Sequence, residues 1–306
     1  RQPVPVEGLP APEATRFELP DLPIAIQITE LVIDEVQLGE ALFGQAARLQ
    51  AQGGLSLEGG DLDTALEVER LDGAGGSLSL DASYASSSTQ LDLNLALAEP
   101  SDGVVATLMN LEGHPTVDLQ LSGGGPLDNL GLQLALNTDA GRLLAGNLDL
   151  SGERSGRVFN LAVDGALSSL IAPHYRDFFG SSSQLQADGF LADSGAIDLR
   201  SLSLESGALS VSANGRVADD GFLTNLDLDA RFGSVDGDAL RLPIGGQTVT
   251  ARAGTVTAQL LDGQAGPQEW AADLQLVDLE TADLAVDQTA LSLRGEAAAL
   301  ADPDTR

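Results

Sequence analysis

Side chains able to do acid–base, nucleophilic or metal chemistry are few in this chain, and their spacing argues against most such chemistry. Only two histidines occur. His114 precedes Pro115 in a turn setting, and His174 follows Pro173 at the start of an expected short helix. Neither stands in an H-E-x-x-H or other ligand spacing, so each reads as a surface histidine. Carboxylate pairs at Asp61 and Asp63, Asp219 and Asp220, and Asp236 and Asp238 are of a kind that can serve glycoside hydrolysis or hold calcium. Among 46 acidic residues, however, such pairs arise by chance, and solvated turns are the simpler reading. The run Gly123-Gly124-Gly125-Pro126-Leu127-Asp128 lacks the fourth-position glycine of the calcium-binding repeat.

Nucleophile chemistry fares no better. No G-x-S-x-G elbow is present. All 15 basic residues are arginine, which removes P-loop lysines, Schiff-base lysines and Ser-x-x-Lys dyads. The chain has no cysteine, so thiolate catalysis, disulfides and Cys-type metal sites are excluded, and an oxidising compartment is compatible. A carbohydrate-active enzyme on a β-solenoid would need an aromatic platform for sugar. Trp270 is the only tryptophan, and Tyr84 and Tyr175 are the only tyrosines. The sequence therefore predicts a protein that is not an enzyme and that uses no cofactor and no metal.

A net charge of -31 repels nucleic-acid phosphates and anionic membrane surfaces, so nucleic acid is not an expected partner. No run approaches the roughly 20 apolar residues that a spanning helix needs. The chain opens at Arg1 without a charged-then-apolar leader, and it reads as an excised or processed segment whose anchor lies elsewhere.

The positioning elements are read from periodicity. Prolines at 3, 5, 10, 12, 20 and 23 make residues 1–23 an extended lead-in. From there a two-residue period dominates: Leu91, Leu93, Leu95 and Leu97 alternate with Asp92, Asn94 and Ala96, which puts every leucine on one sheet face. The same alternation recurs from Leu78 to Tyr84, Val117 to Leu121, Leu130 to Leu136 and Leu226 to Ala230. Turns are expected at Asp72-Gly73, Gly75-Gly76, Ser151-Gly152 and Asp220-Gly221. Strands expected to open near Thr116, Leu130, Leu144 and Val158 stand 14 residues apart, a degenerate repeat.

Two stretches break this period. Residues 102–111 carry Val104, Leu108 and Leu111 at helical spacing, with Ser101 or Asp102 as N-cap and Gly113 as stop. Residues 172–179 suit a second short helix, with Pro173 in the first turn and Gly180 as its C-terminal stop. Both are expected to plug or cap the apolar face. The predicted fold is all-β: an elongated antiparallel meander or solenoid over residues 24–300, with these two helices and a tail at 301–306.

Leucine, rather than valine, isoleucine or aromatics, makes up the apolar stripe, and aromatics are 4% of the chain. Such a stripe suits a smooth surface for acyl chains, and it equally suits a densely packed leucine interior. A packed-core β-solenoid scaffold or adhesin-like structural protein therefore stands beside a groove as an alternative.

Four runs carry a family likeness: Leu19-Pro20-Asp21-Leu22-Pro23-Ile24-Ala25-Ile26, Leu38-Gly39-Glu40-Ala41-Leu42-Phe43-Gly44, Gly125-Pro126-Leu127-Asp128, and Ala172-Pro173-His174-Tyr175-Arg176-Asp177-Phe178-Phe179-Gly180. Through them the chain resembles the TamB family of α-proteobacterial type, over roughly Phe17 to Leu300. TamB is the inner-membrane subunit of the translocation and assembly module, within the AsmA-like group. The resemblance implies a half-pipe with an aliphatic inside, a β-taco, that crosses the periplasm from an inner-membrane anchor outside this segment. It implies phospholipid transport between inner and outer membranes, a link to outer-membrane protein and autotransporter assembly, and engagement of a TamA-like barrel through parts of the protein outside this segment. The residues expected to line the groove and meet phospholipid acyl chains are Leu57, Leu80, Leu93, Leu95, Leu119, Leu134, Leu148, Leu161, Val211 and Leu228.

Overall fold

The computed structural model describes residues 25–40, 45–73, 75–109, 111–171, 176–234, 237–242, 248–261 and 268–297. Alternating leucines give one long antiparallel sheet. Its strands are β1 (Ile26–Leu38), β2 (Ala47–Glu58), β3 (Asp61–Arg70), β4 (Ser77–Ala85), β5 (Gln90–Glu99), β6 (Val117–Pro126), β7 (Asn129–Thr138), β8 (Gly141–Glu153) and β9 (Gly156–Gly165). They continue as β10 (Ser183–Ala192), β11 (Ile197–Glu205), β12 (Leu209–Val217), β13 (Leu223–Gly233), β16 (Ala253–Leu260), β17 (Gln268–Glu280) and β18 (Ala285–Ala297). Each strand pairs with the next in this order, so the sheet is a meander. The short β14 (Leu240–Arg241) and β15 (Thr250–Ala251) form a side ladder that joins β17 through Thr250 and Glu280. Among the described residues β1 pairs only with β2 and β18 only with β17. The sheet is therefore open, and it curves into a half-pipe.

Tight turns keep neighbouring strands antiparallel. Between Glu58 and Asp61 the loop is Gly59-Gly60, with φ of 59° and 84°; two positive φ values match the right-handed twist of the flanking strands, and only glycine adopts them without cost. One expected turn is misplaced. Ser151-Gly152 lies inside β8, and the chain reverses two residues later, at Arg154-Ser155, between the paired Glu153 and Gly156. Strands β6 to β9 consequently open at Val117, Asn129, Gly141 and Gly156, and the even 14-residue spacing expected from the sequence does not hold.

Two short helices interrupt the meander. The first, α1, spans Val104–Leu108, shorter than expected, and its cap is not Ser101 or Asp102. Asp102 takes φ +59° within a turn where its N–H donates to the carbonyl of His114, at 2.9 Å. The helix instead starts at Gly103 and is capped by Glu99, whose carboxylate accepts from the N–H groups of Val104 (3.2 Å) and Val105 (2.7 Å). The second, α2, is described over Arg176–Phe179. Gly180 follows it at φ +56° and its N–H donates to the Arg176 carbonyl at 3.1 Å, the left-handed stop its sequence foretold. Pro173, His174 and Tyr175, with the 1–23 lead-in and the 301–306 tail, lie outside the described residues.

Among the described residues core packing gathers mainly in two clusters along one rim of the pipe, with Ala47, Leu130 and Ala187 buried outside them. Ala106 of α1 and Leu111 pack on Val117, Leu136, Leu143 and Leu144, joined by Leu167 and Leu170 of a 3-10 turn at Leu167–Leu170. Phe178 of α2 packs with Ala208, Leu240, Leu242, Ala251 and Leu276, and its ring meets Phe232 edge to face at 5.6 Å. The helices thus cap the apolar face from one side, and among the described residues most of that face is half-buried.

Candidate functional site

Register carries the alternation of single strands into a surface. In an antiparallel ladder directly opposed residues share a face, so pairings can be followed from strand to strand. Leu31 of β1 opposes Gly53, which opposes Leu66, then Leu80, Leu95 and Leu121. From Leu121 the row passes to Leu134, Gly146, Val163, Leu185 and Leu204. It ends through Val211, Ala230, Val256 and Leu274 at Leu291 of β18. Every strand except β14 and β15 contributes, and no member is polar or aromatic. At about 4.8 Å per strand the row runs on the order of 70 Å.

A second row lies beside it, two residues along each strand. Here Leu93 opposes Gly123, then Leu132, Leu148, Leu161 and Ala187. Leu202, Ala213 and Leu228 carry it on. The expected lining residues all fall on this face: Leu80, Leu95, Leu134 and Val211 in the first row, Leu93, Leu148, Leu161 and Leu228 in the second, and Leu119 and Leu57 in flanking rows toward opposite rims. All of them are half-buried rather than buried. Leu66, Leu121, Leu185, Leu204, Val256 and Leu274 belong to the first row equally; their strands carry the same alternation, but only register shows that they align.

Three polar side chains that interrupt the face are satisfied within the chain. The Thr64 hydroxyl donates to the Gly54 carbonyl at 3.0 Å, the buried Ser183 hydroxyl donates to the Phe179 carbonyl at 3.1 Å, and Glu99 caps α1. Such a wall has little but hydrocarbon to offer a ligand. Where α1 overhangs β2 to β5, an apolar cavity of about 170 Å³ opens between Leu49, Val68, Leu78, Leu97, Val104 and Val105.

The candidate chemical residues lie elsewhere. Asp61 accepts from the backbone N–H and hydroxyl of Ser86, both at 2.7 Å, and the hydroxyl bond foremost holds its carboxyl below the ordinary range. Asp72 is lowered likewise, chiefly by the hydrogen bond from Arg70 Nε at 2.9 Å, with the Arg48 N–H adding to it. Asp61 opens β3 beside the Gly59-Gly60 turn, and Asp72 lies in the turn before β4. His114 Nδ1 stands 3.5 Å from Asp102 in the loop after α1. Asp219 and Asp220 sit beside the turn before β13, and Asp236 lies outside the described residues. Among the described residues no three His, Asp or Glu side chains group as metal ligands.

The fold and this face define a class: an open antiparallel half-pipe with a continuous aliphatic concave wall. Comparisons with protein-family models, with curated proteins and with solved structures gave no match.

Proposed function

We propose that this chain is a TamB-like periplasmic segment that binds phospholipid by its acyl chains and acts as a passive conduit, without catalysis, between the inner and outer membranes. The observation that carries the reading is the first row: aliphatic from β1 to β18, half-exposed over most of its length, and filled by packing only where the caps sit. A packed-core scaffold, the rival reading, calls for opposed walls that bury such a stripe. Burial of apolar surface is worth about 25 cal/mol per Å², so a tail is held without specific contacts, and it slides because successive contacts are alike. Attachment to the inner membrane and engagement of a TamA-like outer-membrane barrel, with its link to outer-membrane protein assembly, belong to the same proposal through regions outside this segment.

A benzophenone photo-crosslinker at inward Leu95 or Leu204 should capture phospholipid from phosphatidylethanolamine–phosphatidylglycerol vesicles, whereas the same group at outward Asn94 or Ser203 should not. Equal capture on both faces, or none at either inward position, overturns the reading.

A further inference from the structure

Four strand residues place an aromatic ring on the concave face: Tyr84, Phe159, Phe232 and Trp270. Tyr84 stands between Leu62 and Leu91. The other three each oppose a glycine across the ladder: Phe159 faces Gly189, Phe232 faces Gly254 and Trp270 faces Gly295. None of these glycines has a positive φ, so backbone conformation does not call for glycine there. Space does. A Cβ on Gly295 would lie nearest the Trp270 indole, at 2.8 Å; one on Gly254 would lie 2.6 Å from Phe232 Cε1 and Cζ and 2.8 Å from a Leu276 methyl, and one on Gly189 2.6 Å from Phe159 Cζ and 2.4 Å from the backbone carbonyl oxygen of Asp198. Each ring therefore occupies the volume that a side chain on its partner would take, and lies down on the wall. Gly189 and Gly254 are buried, though they carry no side chain of their own.

Covering a strand glycine with a cross-strand ring also offsets the weakness glycine brings to a strand, which accounts for stability alone. It does not account for position. Phe159 and Trp270 lie in the row toward one rim and Phe232 toward the other, and the two central rows hold no ring. A ring standing upright at the flank of a narrow pipe would project into the space over those rows.

We propose that Gly189, Gly254 and Gly295 are positioning residues that hold Phe159, Phe232 and Trp270 flat and so keep the groove deep enough for a hydrocarbon chain. This rests on the acyl-chain reading of the groove. Gly295→Ala should tilt Trp270 into the lumen and lower photo-capture of phospholipid by Leu274→p-benzoylphenylalanine, on the same strand and face as Trp270, by fivefold or more. Capture at Leu80→p-benzoylphenylalanine, many strands away, should not change. Adding Trp270→Leu to Gly295→Ala should restore capture at position 274, because the tilted ring is gone while the methyl remains.

Unchanged capture at 274 in the Gly295→Ala protein overturns the proposal, as does a double variant that fails to recover. Should Gly295→Ala not fold, Gly254→Ala with and without Phe232→Leu asks the same question on β16, read by a crosslinker at Ala230 and decided by the same two results. If the parent protein captures no phospholipid at either 80 or 274, the acyl-chain reading has failed, and this proposal with it.

Discussion

At the scale of single residues, polar side chains in this chain do structural work, and Asp61 and Asp72 show it most directly. Each carboxylate ties together segments that the sequence separates: Asp61 holds Ser86, and Asp72 holds Arg70 and the backbone of Arg48. Hydrogen bonds that favour the ionised form lower the pKa of both in the folded state. A lowered folded pKa means that the unfolded chain binds protons first as pH falls. The associated stability is thus complete above the ordinary value of 3.8 and drains away as pH drops below it toward the folded pKa. Thermal melts of an Asp61→Asn, Asp72→Asn double variant should show a shallower loss of stability between about pH 4 and pH 2 than the parent, with the gap between the two proteins largest near neutrality. Parallel curves would mean that these bonds form equally in the unfolded chain. The residue types alone pointed to solvated turns for these acids, but the partners were hidden, because Ser86 and Arg48 lie 25 and 24 residues away in sequence.

At the scale of elements, alternation made most strands legible, because a two-residue period with leucine on one side has few other ways to bury its apolar half. Boundaries were less so. Ser151-Gly152 reads as a turn, yet β8 runs through it: the Gly152 N–H donates to the Asp128 carbonyl at 2.8 Å, and the Asp128 side chain fills the place of a Gly152 Cβ. A contact from the neighbouring hairpin overrode local turn chemistry. The α1 cap was missed for a related reason, since Glu99 reaches its N–H groups from the end of β5, and a Cβ at Gly103 would sit 2.5 Å from that carboxylate. The lining residues could be assigned to a face from sequence, but not to a common row, since row membership depends on register across successive turns. Two kinds of leucine nevertheless share this face, and stability should separate them. Leu136, 2% exposed beneath the α1 cluster, should cost about 2–5 kcal/mol on Leu136→Ala, because the surrounding atoms cannot close the hole. Leu80, half-buried on the open wall, leaves no enclosed cavity and should cost about 1 kcal/mol. Denaturant midpoints that fall equally for both would mean that the wall is packed shut at Leu80, which favours the scaffold over the groove.

At the scale of the whole molecule, β1 and β18 stand at the two ends of the sheet among the described residues, and each exposes apolar side chains between its charged ones. Val32 on β1 is 59% exposed and Leu293 on β18 is 47% exposed, beside ladder groups with no partner strand among the described residues. Such edges template association, and soluble sheets blunt them with charge. The net charge of -31 supplies the repulsion, and the convex face contributes Asp81, Asp92, Asp149, Asp227, Asp229 and Asp273. Repulsion between exposed charges is screened within about 10 Å at 0.1 M salt and about 3 Å at 1 M, whereas apolar contact strengthens or holds as salt rises. The protein should therefore sediment as a monomer at low ionic strength and gain dimers or larger species near 1 M sodium chloride. Val32→Lys should suppress much of that gain by placing a charge on the edge itself, without touching the concave rows, since Val32 opposes the outward Gln52. Association that is independent of salt, or that Val32→Lys leaves unchanged, would place the contact on the concave wall instead, where a second copy would compete with acyl chains for the same leucines.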